Sequence, residues 1–226
     1  RDVIRAVALS RQNSVNVVVL PTGAGKSLVG LAVALFGPDL GVSIVVVPTI
    51  ALAYDQMHEA QKHCNNLRVD AWHADLTDSD KKAIKERIRT GQQRLLYASP
   101  ESVVGTLSSS LSVAAEAGLI RAFIVDEAHM ISQWGNSFRP EFQSMAGLWR
   151  QIHSICPEGR SFRTVLMTAT LTDEAFESIA TFYGPRENID VLASVHLRPE
   201  PQYFLQHCNS LSEQTDRVLG AVKNGP

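Results

Sequence analysis

The protein has 226 residues, 45% hydrophobic and 19% charged, the proportions of a globular chain and not of a disordered or fibrous one. Lys and Arg number 21 against 23 Asp and Glu, a formal charge of −2, so any nucleic-acid surface has to be a local patch. The longest apolar stretch, Leu28 to Gly37, is too short to cross a bilayer, and Cys64, Cys156 and Cys208 are too scattered for a disulfide framework or a CxxC metal pair. The expectation is a soluble cytoplasmic protein with no membrane partner.

Taken in chain order, the first β-branched run is Val15–Leu20. It is followed by Leu20-Pro-Thr-Gly-Ala-Gly-Lys-Ser27 and then by Ser27–Phe36, which is apolar nearly all round and is read as a buried helix. A glycine-rich turn between a strand and a helix suits an anion. Gly23 and Gly25 let backbone N–H groups turn inward, and the helix N-terminus adds the positive end of its dipole. Lys26 is placed to reach β and γ phosphates, and the Ser27 hydroxyl to hold Mg²⁺. The first glycine of the full GxxxxGK[ST] pattern is replaced by Leu20.

Ser43–Val47 reads as the next strand. The histidines of His58-Glu59…His63 stand five apart, about 140° around a helix, so they do not share a face as zinc ligands would; a solvated helix face is expected. Thr77-x-x-Asp80 reads as a capping box before a helix over Lys81–Thr90, with Ile84 and Ile88 one turn apart and Gly91 as the stop. The basic run from Lys81 to Arg94 is expected to be an exposed face, and Arg94–Ala98 a strand. Ser99 has no GxSxG elbow around it, which excludes a hydrolase nucleophile there.

Ala122–Val125 is an apolar strand that runs into Asp126-Glu-Ala-His129. Ligands of an α/β sheet sit beyond the carboxyl ends of its strands, so these acids are expected beside the phosphate loop. Asp126 then serves the same Mg²⁺ as Ser27, and Glu127 orients and deprotonates an attacking water. Trp134, Phe138 and Phe142 recur four apart, the spacing of a buried helical stripe. Gly135 and Pro140 oppose one continuous helix, and aromatics on an irregular loop can stack on bases. The residues alone leave both readings open.

Thr164–Met167 is the last apolar strand. Thr172-Asp-Glu opens a helix that turns Ala175, Ile179 and Phe182 to a core and stops at Gly184-Pro185. After Asp190 the pattern changes: Arg198-Pro-Glu-Pro201 is read as a linker, and Gln202–Leu205 as the first strand of another unit. Continuous apolar strands alternating with helices imply an α/β domain, a mostly parallel sheet with helices on both faces.

The motifs Thr22-Gly-Ala-Gly-Lys-Ser27, Asp126-Glu-Ala-His129 and Met167-Thr-Ala-Thr170, in this order, resemble motifs I, II and III of superfamily 2 helicases. Ile131-Ser-Gln-Trp-Gly-Asn-Ser-Phe-Arg-Pro-Glu-Phe142 is similar to the aromatic-rich loop of RecQ DNA helicases. Leu95-Leu-Tyr-Ala-Ser-Pro-Glu101 is similar to their motif Ib, and Val45-Val-Val-Pro-Thr-Ile-Ala-Leu52 with Asp55-Gln56 to their motif Ia.

The resemblance implies a RecA-like P-loop NTPase domain over residues 1–195, followed by a linker and the start of a second RecA-like domain over 196–226. It implies a 3′–5′ DNA helicase using ATP and Mg²⁺, acting on single-stranded or forked DNA in a bacterial cytoplasm or nucleoid, or in a nucleus. It makes Thr22, Gly23, Ala24, Gly25, Lys26 and Ser27 the nucleotide contacts, with Lys26 and Glu127 catalytic. Ser27 and Asp126 hold the metal, and His129, Thr168 and Thr170 relay nucleotide state. Gln133, Trp134, Phe138, Arg139 and Phe142 form the DNA-sensing loop. Where the family usually carries His-Asp in that loop, Asn136 and Ser137 stand here. The family's adenine-recognising glutamine motif is expected upstream of Arg1, and its motifs IV to VI beyond Pro226. A translocase, an RNA helicase of the same superfamily and a non-catalytic ATP-dependent DNA-binding module are the alternatives.

Overall fold

Continuous apolar runs need cover on both faces, and the fold supplies it. The computed structural model describes residues 2–36, 40–63, 67–131, 140–194 and 207–224, with backbone only at 140–143 and 222–224. Among them the strands are β1 Val15–Val19, β2 Val42–Val46, β3 Val69–Ala71, β4 Leu95–Ala98, β5 Ile120–Val125, β6 Arg163–Thr168 and β7 Ile189–Ala193. All strand pairs are parallel, in the order β3-β4-β2-β5-β6-β1-β7. Helices α1 Asp2–Leu9, α2 Lys26–Leu35 and α3 Ile50–His63 precede β3; α4 Asp78–Arg89 comes after it. Then come α5 Pro100–Val104, α6 Ser108–Glu116, α7 Pro140–Ser154 and α8 Asp173–Tyr183.

Successive strand residues point to opposite faces, and the two cores divide accordingly. Val18, Val45, Val47, Ile124, Val165 and Met167 pack with Val7 of α1, Val29 and Val33 of α2, and Ala53 and Ala60 of α3. Val17, Ile44, Val46, Phe123, Val125 and Leu166 pack on the other face against α4 through α8, where Ile84, Leu111, Met145, Trp149 and Ile179 are buried. The Trp149 indole N–H donates to Thr164 Oγ1 at 2.8 Å, so its one polar atom is satisfied in the core.

The local signals at α4 and α8 work as expected. Thr77 Oγ1 accepts from the Asp80 N–H at 3.1 Å and donates to the Asp80 carboxylate at 2.6 Å. Thr172 caps α8 through the Ala175 N–H. At the end of α4, the Gly91 N–H reaches the Ile88 carbonyl and the Gln92 N–H the Arg87 carbonyl, the paired bonds of a Schellman motif, with Gly91 at φ +70.

Several expectations are corrected. Helix α2 is buried only through Val29–Ala34, while Leu28, Leu35 and Phe36 are 52%, 40% and 66% exposed; Leu28 and Leu35, seven positions apart, share one side of the helix. Phe182 is only half-buried against the core, and Tyr183 takes the enclosed position. The basic run is not all surface: Arg87 Nη2 pairs with Asp70 of β3 at 2.9 Å, and the buried Arg94 donates to the Ala34 carbonyl at 2.8 Å. Strand β3 carries Asp70 in its centre, and β7 is half exposed. Neither shows the long apolar run by which the five interior strands are recognisable.

The described residues fall into two units, 1–196 and 197–226. In the second, α9 Leu211–Asn224 adds a helix to the expected elements, and Ser210-x-x-Glu213 before it is a start signal. Ser210 Oγ accepts the Glu213 N–H, and Glu213 pairs with Arg217 one turn on. The expected strand at Gln202–Leu205 lies outside the described residues. No helix among the described residues is long and apolar enough to cross a membrane.

A Cβ at Gly91 meets the Gly41 backbone nitrogen and Leu119 Cδ2 at 3.1 Å, whereas one at Gly159, with nearly the same φ (+72), meets no atom within 4 Å. Gly159→Ala is therefore expected to cost about 1 kcal/mol, the left-handed backbone alone. Gly91→Ala is expected to cost about 2 kcal/mol or more. Denaturant midpoints at unchanged m-value check both, and equal losses would show that contact adds nothing to backbone strain.

Candidate nucleotide site

With every strand parallel, the loops after β1, β2, β5 and β6 open on one edge of the sheet. The register sets their level: Val19 pairs with Thr168, and Val125 with Leu166, so Thr168 stands opposite the position two beyond Val125. That position is Glu127.

The phosphate loop turns as its glycines permit. Gly23 and Gly25 both have φ +84, the left-handed conformation that glycine adopts without a Cβ clash. The start of α2 carries no side-chain cap, so its first N–H groups are left for an anion. Thr22 and Ala24 lie in the same turn, which the Ala24 N–H closes on the Pro21 carbonyl at 3.1 Å.

Lys26 Nζ lies 3.2 Å from Glu127 Oε1, with the lysine side chain 10% exposed. The two motifs, 101 residues apart in sequence, thus meet in one place. Asp126 is 6% exposed. Its N–H continues the β2 ladder by donating to the Val46 carbonyl at 2.8 Å. Its Oδ1 accepts the Glu127 N–H and its Oδ2 the Gln56 side-chain amide, each at 2.9 Å. Burial pushes the Asp126 carboxyl above the usual Asp range, against the lowering effects of the Gln56 and Glu127 hydrogen bonds and of Lys26.

Glu127 has φ +51, a conformation that costs a non-glycine residue about 1 kcal/mol or more. The strain turns its carboxylate between Lys26 and His129. Oε1 faces Lys26, and Oε2 lies 3.3 Å from His129 Nδ1. The same Nδ1 is 3.2 Å from Thr168 Oγ1, which donates its own proton to the Thr170 carbonyl at 2.7 Å. Thr168 can then only accept from His129, which assigns the proton to Nδ1. Glu127, His129, Thr168 and Thr170 form one chain of polar contacts. The sequence motifs named its members; only the register shows them joined. The left-handed backbone at Glu127 had no sequence signal; Gln56 stands in the segment similar to motif Ia, but nothing in that segment pointed to its bond with Asp126.

The donor set fits Mg²⁺ and not a transition metal. One buried carboxylate and a serine hydroxyl are hard oxygen donors, and Mg²⁺ is bound with few protein ligands plus substrate phosphates. No group of three or more His, Cys, Asp or Glu among the described residues could hold a metal. His58 is exposed with its Nδ1 on the Tyr54 carbonyl, and Glu59 pairs with Lys62 and His63, as a solvated helix face does. Ser99 caps α5 through the Ser102 N–H. Gln133, Trp134, Phe138 and Arg139 lie outside the described residues; Phe142 is on α7, which starts at Pro140, and its side chain lies outside them too.

A family profile described as DEAD/DEAH box helicase matches residues 1–179. The Haemophilus influenzae protein named ATP-dependent DNA helicase RecQ is 35% identical over 222 residues, 98% of this chain and 33% of that protein. The Bacillus subtilis protein named probable ATP-dependent DNA helicase RecS is 28% identical over 227 residues, 99% of this chain and 41% of its own length. The crystal structure of the Pyrococcus furiosus Hef helicase domain matches with a TM-score of 0.61 at 17% identity, over 84% of this chain and 37% of that one. That likeness establishes a RecA-like fold. The chain spans a third to two fifths of the two curated relatives.

The raised Asp126 carboxyl has a thermodynamic sign. Below the ordinary Asp range, folded and unfolded chains both carry it protonated, and its stabilising contribution is full. That contribution is lost as pH rises through the native value, where the folded state must bury a charge. Asp126→Asn, whose amide Gln56 can accept by flipping its own, should raise the melting temperature of the nucleotide-free chain near pH 7. The gain should shrink as pH falls toward 4. A variant that melts lower than wild type at pH 7 contradicts the assignment of burial as the dominant influence.

Proposed function

The chain belongs to the DEAD/DEAH box helicase family, and on that premise we propose that it is the first motor domain of a RecQ-type DNA helicase that binds and hydrolyses ATP. The contact between Lys26 and Glu127 at 3.2 Å carries this reading, because it sets a phosphate-binding cation and a carboxylate base within one hydrogen bond. The Thr22–Ser27 loop wraps the triphosphate with those backbone N–H groups that its own turn leaves unused. Lys26 exchanges Glu127 for the β and γ phosphates, which present more charge and more acceptor oxygens. Ser27 and Asp126 hold Mg²⁺, which when bound neutralises phosphate charge as it develops.

Release from Lys26 leaves Glu127 free to take the proton of the water that attacks the γ phosphorus. The oxygen–phosphorus bond forms as the bond to the β-phosphate oxygen breaks, and the leaving diphosphate takes up the electron pair. His129 holds Glu127 on one side and Thr168 on the other. Movement of the carboxylate at the γ position is therefore felt at Thr168 and Thr170, the relay of nucleotide state. Gln133, Trp134, Phe138, Arg139 and Phe142 form the loop that senses single-stranded or forked DNA, by stacking and phosphate contact. A second RecA-like domain beyond residue 196 completes the cleft, and unwinding runs 3′ to 5′.

Glu127→Gln in the full-length protein should lower steady-state ATPase by about 10²–10⁴-fold, the usual contribution of a general base, and leave ATP affinity near wild type. Unchanged turnover removes Glu127 from the role of base. Trp134→Ala should reduce the DNA-stimulated rate more than the basal rate, by an amount corresponding to about 1–3 kcal/mol of stacking. An equal fall in both rates would favour a buried helical stripe at Trp134. Unwinding of DNA duplexes but not RNA duplexes separates the proposed activity from an RNA helicase of the same fold.

A further inference from the structure

One contact at the nucleotide site belongs to none of its motifs for phosphate or metal. Gln56 lies in the interior of α3, 70 residues before Asp126, and its side-chain amide donates to Asp126 Oδ2 at 2.9 Å. Asp126 Oδ1 is held by the Glu127 N–H at the same distance. Each carboxylate oxygen thus has one fixed donor, and rotation of the carboxylate breaks both bonds. With the residue 6% exposed, little solvent is available to replace either.

The chemistry of the donor matters. A glutamine amide orients a carboxylate without neutralising it, whereas a lysine or arginine at position 56 would compete with a cation for its charge. A glutamate there would face Asp126 with like charge. The scaffold behind Gln56 is regular structure on both sides. Thr49 Oγ1 accepts the Leu52 N–H at the start of α3, and Gln61, further along it, donates to the Val69 carbonyl of β3 at 3.0 Å. Gln56 and Ser27 also line one cavity of about 470 Å³ between α2 and α3.

We propose that Gln56 is a positioning residue for the Asp126 carboxylate, holding it in the orientation that the magnesium-bound nucleotide requires. The inference rests on the reading of Asp126 as a metal-binding carboxylate. Partners that orient a metal's ligands typically contribute 10–100-fold to metal affinity. Gln56 thereby ties α3 to the nucleotide's metal, so that a displacement of this helix alters the grip on Mg²⁺ without touching the phosphate loop.

The test is a Mg²⁺ titration of fluorescent mant-ADP binding to the 226-residue chain, with binding in EDTA as the metal-free reference. Gln56→Met, which keeps the length and removes the donor, should raise the half-saturating Mg²⁺ concentration about tenfold. Its affinity for mant-ADP in EDTA should stay within about twofold of wild type, a split that a merely structural role does not produce. Gln56→Ala, suited to a helix interior, replaces it should the methionine variant fail to fold. Asp126→Asn should abolish most of the Mg²⁺ dependence. If it does not, the metal reading of Asp126 fails. If it does while both Gln56 variants titrate like wild type, the positioning role is overturned and the metal reading stands. Equal weakening of a Gln56 variant with and without Mg²⁺ also overturns it, leaving Gln56 a packing contact.

Discussion

All paired strands of the sheet run in one direction, and that constraint decides where chemistry can occur. A parallel sheet must return the chain across its faces between strands, which covers both faces with helices and leaves only the two edges for loops. Each strand then delivers the loop at its carboxyl end to the same edge. The glycine turn after β1, the acids after β5 and the threonines at the end of β6 share an edge for this reason. No attraction between them is needed to bring them there. With β6 between β1 and β5, the threonine pair stands between the phosphate loop and the acids, which is why His129 can bridge Glu127 to Thr168.

The edge is poor for stability. Asp126 is a buried carboxylate whose charged form is disfavoured, and Glu127 holds a backbone conformation that a non-glycine residue rarely adopts. Lys26, with its side chain largely buried, has its charge committed to Glu127. The two covered faces of the sheet make these costs tolerable. Val17, Ile44, Phe123, Ile124 and Leu166 are fully buried just behind the site, and burying a large aliphatic or aromatic side chain contributes about 1.5–3 kcal/mol. Strain at a functional edge is carried by an apolar interior that takes no part in the chemistry.

Much of this was legible in the residues. Five interior strands announce themselves because burial on both faces admits little but apolar side chains, and Thr77, Gly91 and Thr172 act through bonds within a few positions of themselves. The phosphate loop and the acid motif are local for the same reason: each is a strand end and the turn directly after it. The edge strands β3 and β7 were illegible. Asp70 in β3 is accommodated by Arg87 and Gln93 from later elements of the chain, and no short window of sequence contains that pairing. Exposure of Leu28 and Leu35 in α2 was hidden likewise, since an apolar helix does not state which of its residues other elements cover.

By itself, then, the sequence determined which segments could be strands or helices, which turn could cradle an anion and which charged and hydroxyl side chains stand at the strand ends. Hydrogen bonds and burial over three or four residues suffice for those. Only the tertiary structure decided that Lys26 faces Glu127, that one imidazole nitrogen serves both Glu127 and Thr168, and that an amide from α3 fixes Asp126. Those contacts depend on strand order and register, which arise from packing residues far apart along the chain and leave no trace in the spacing of any one motif.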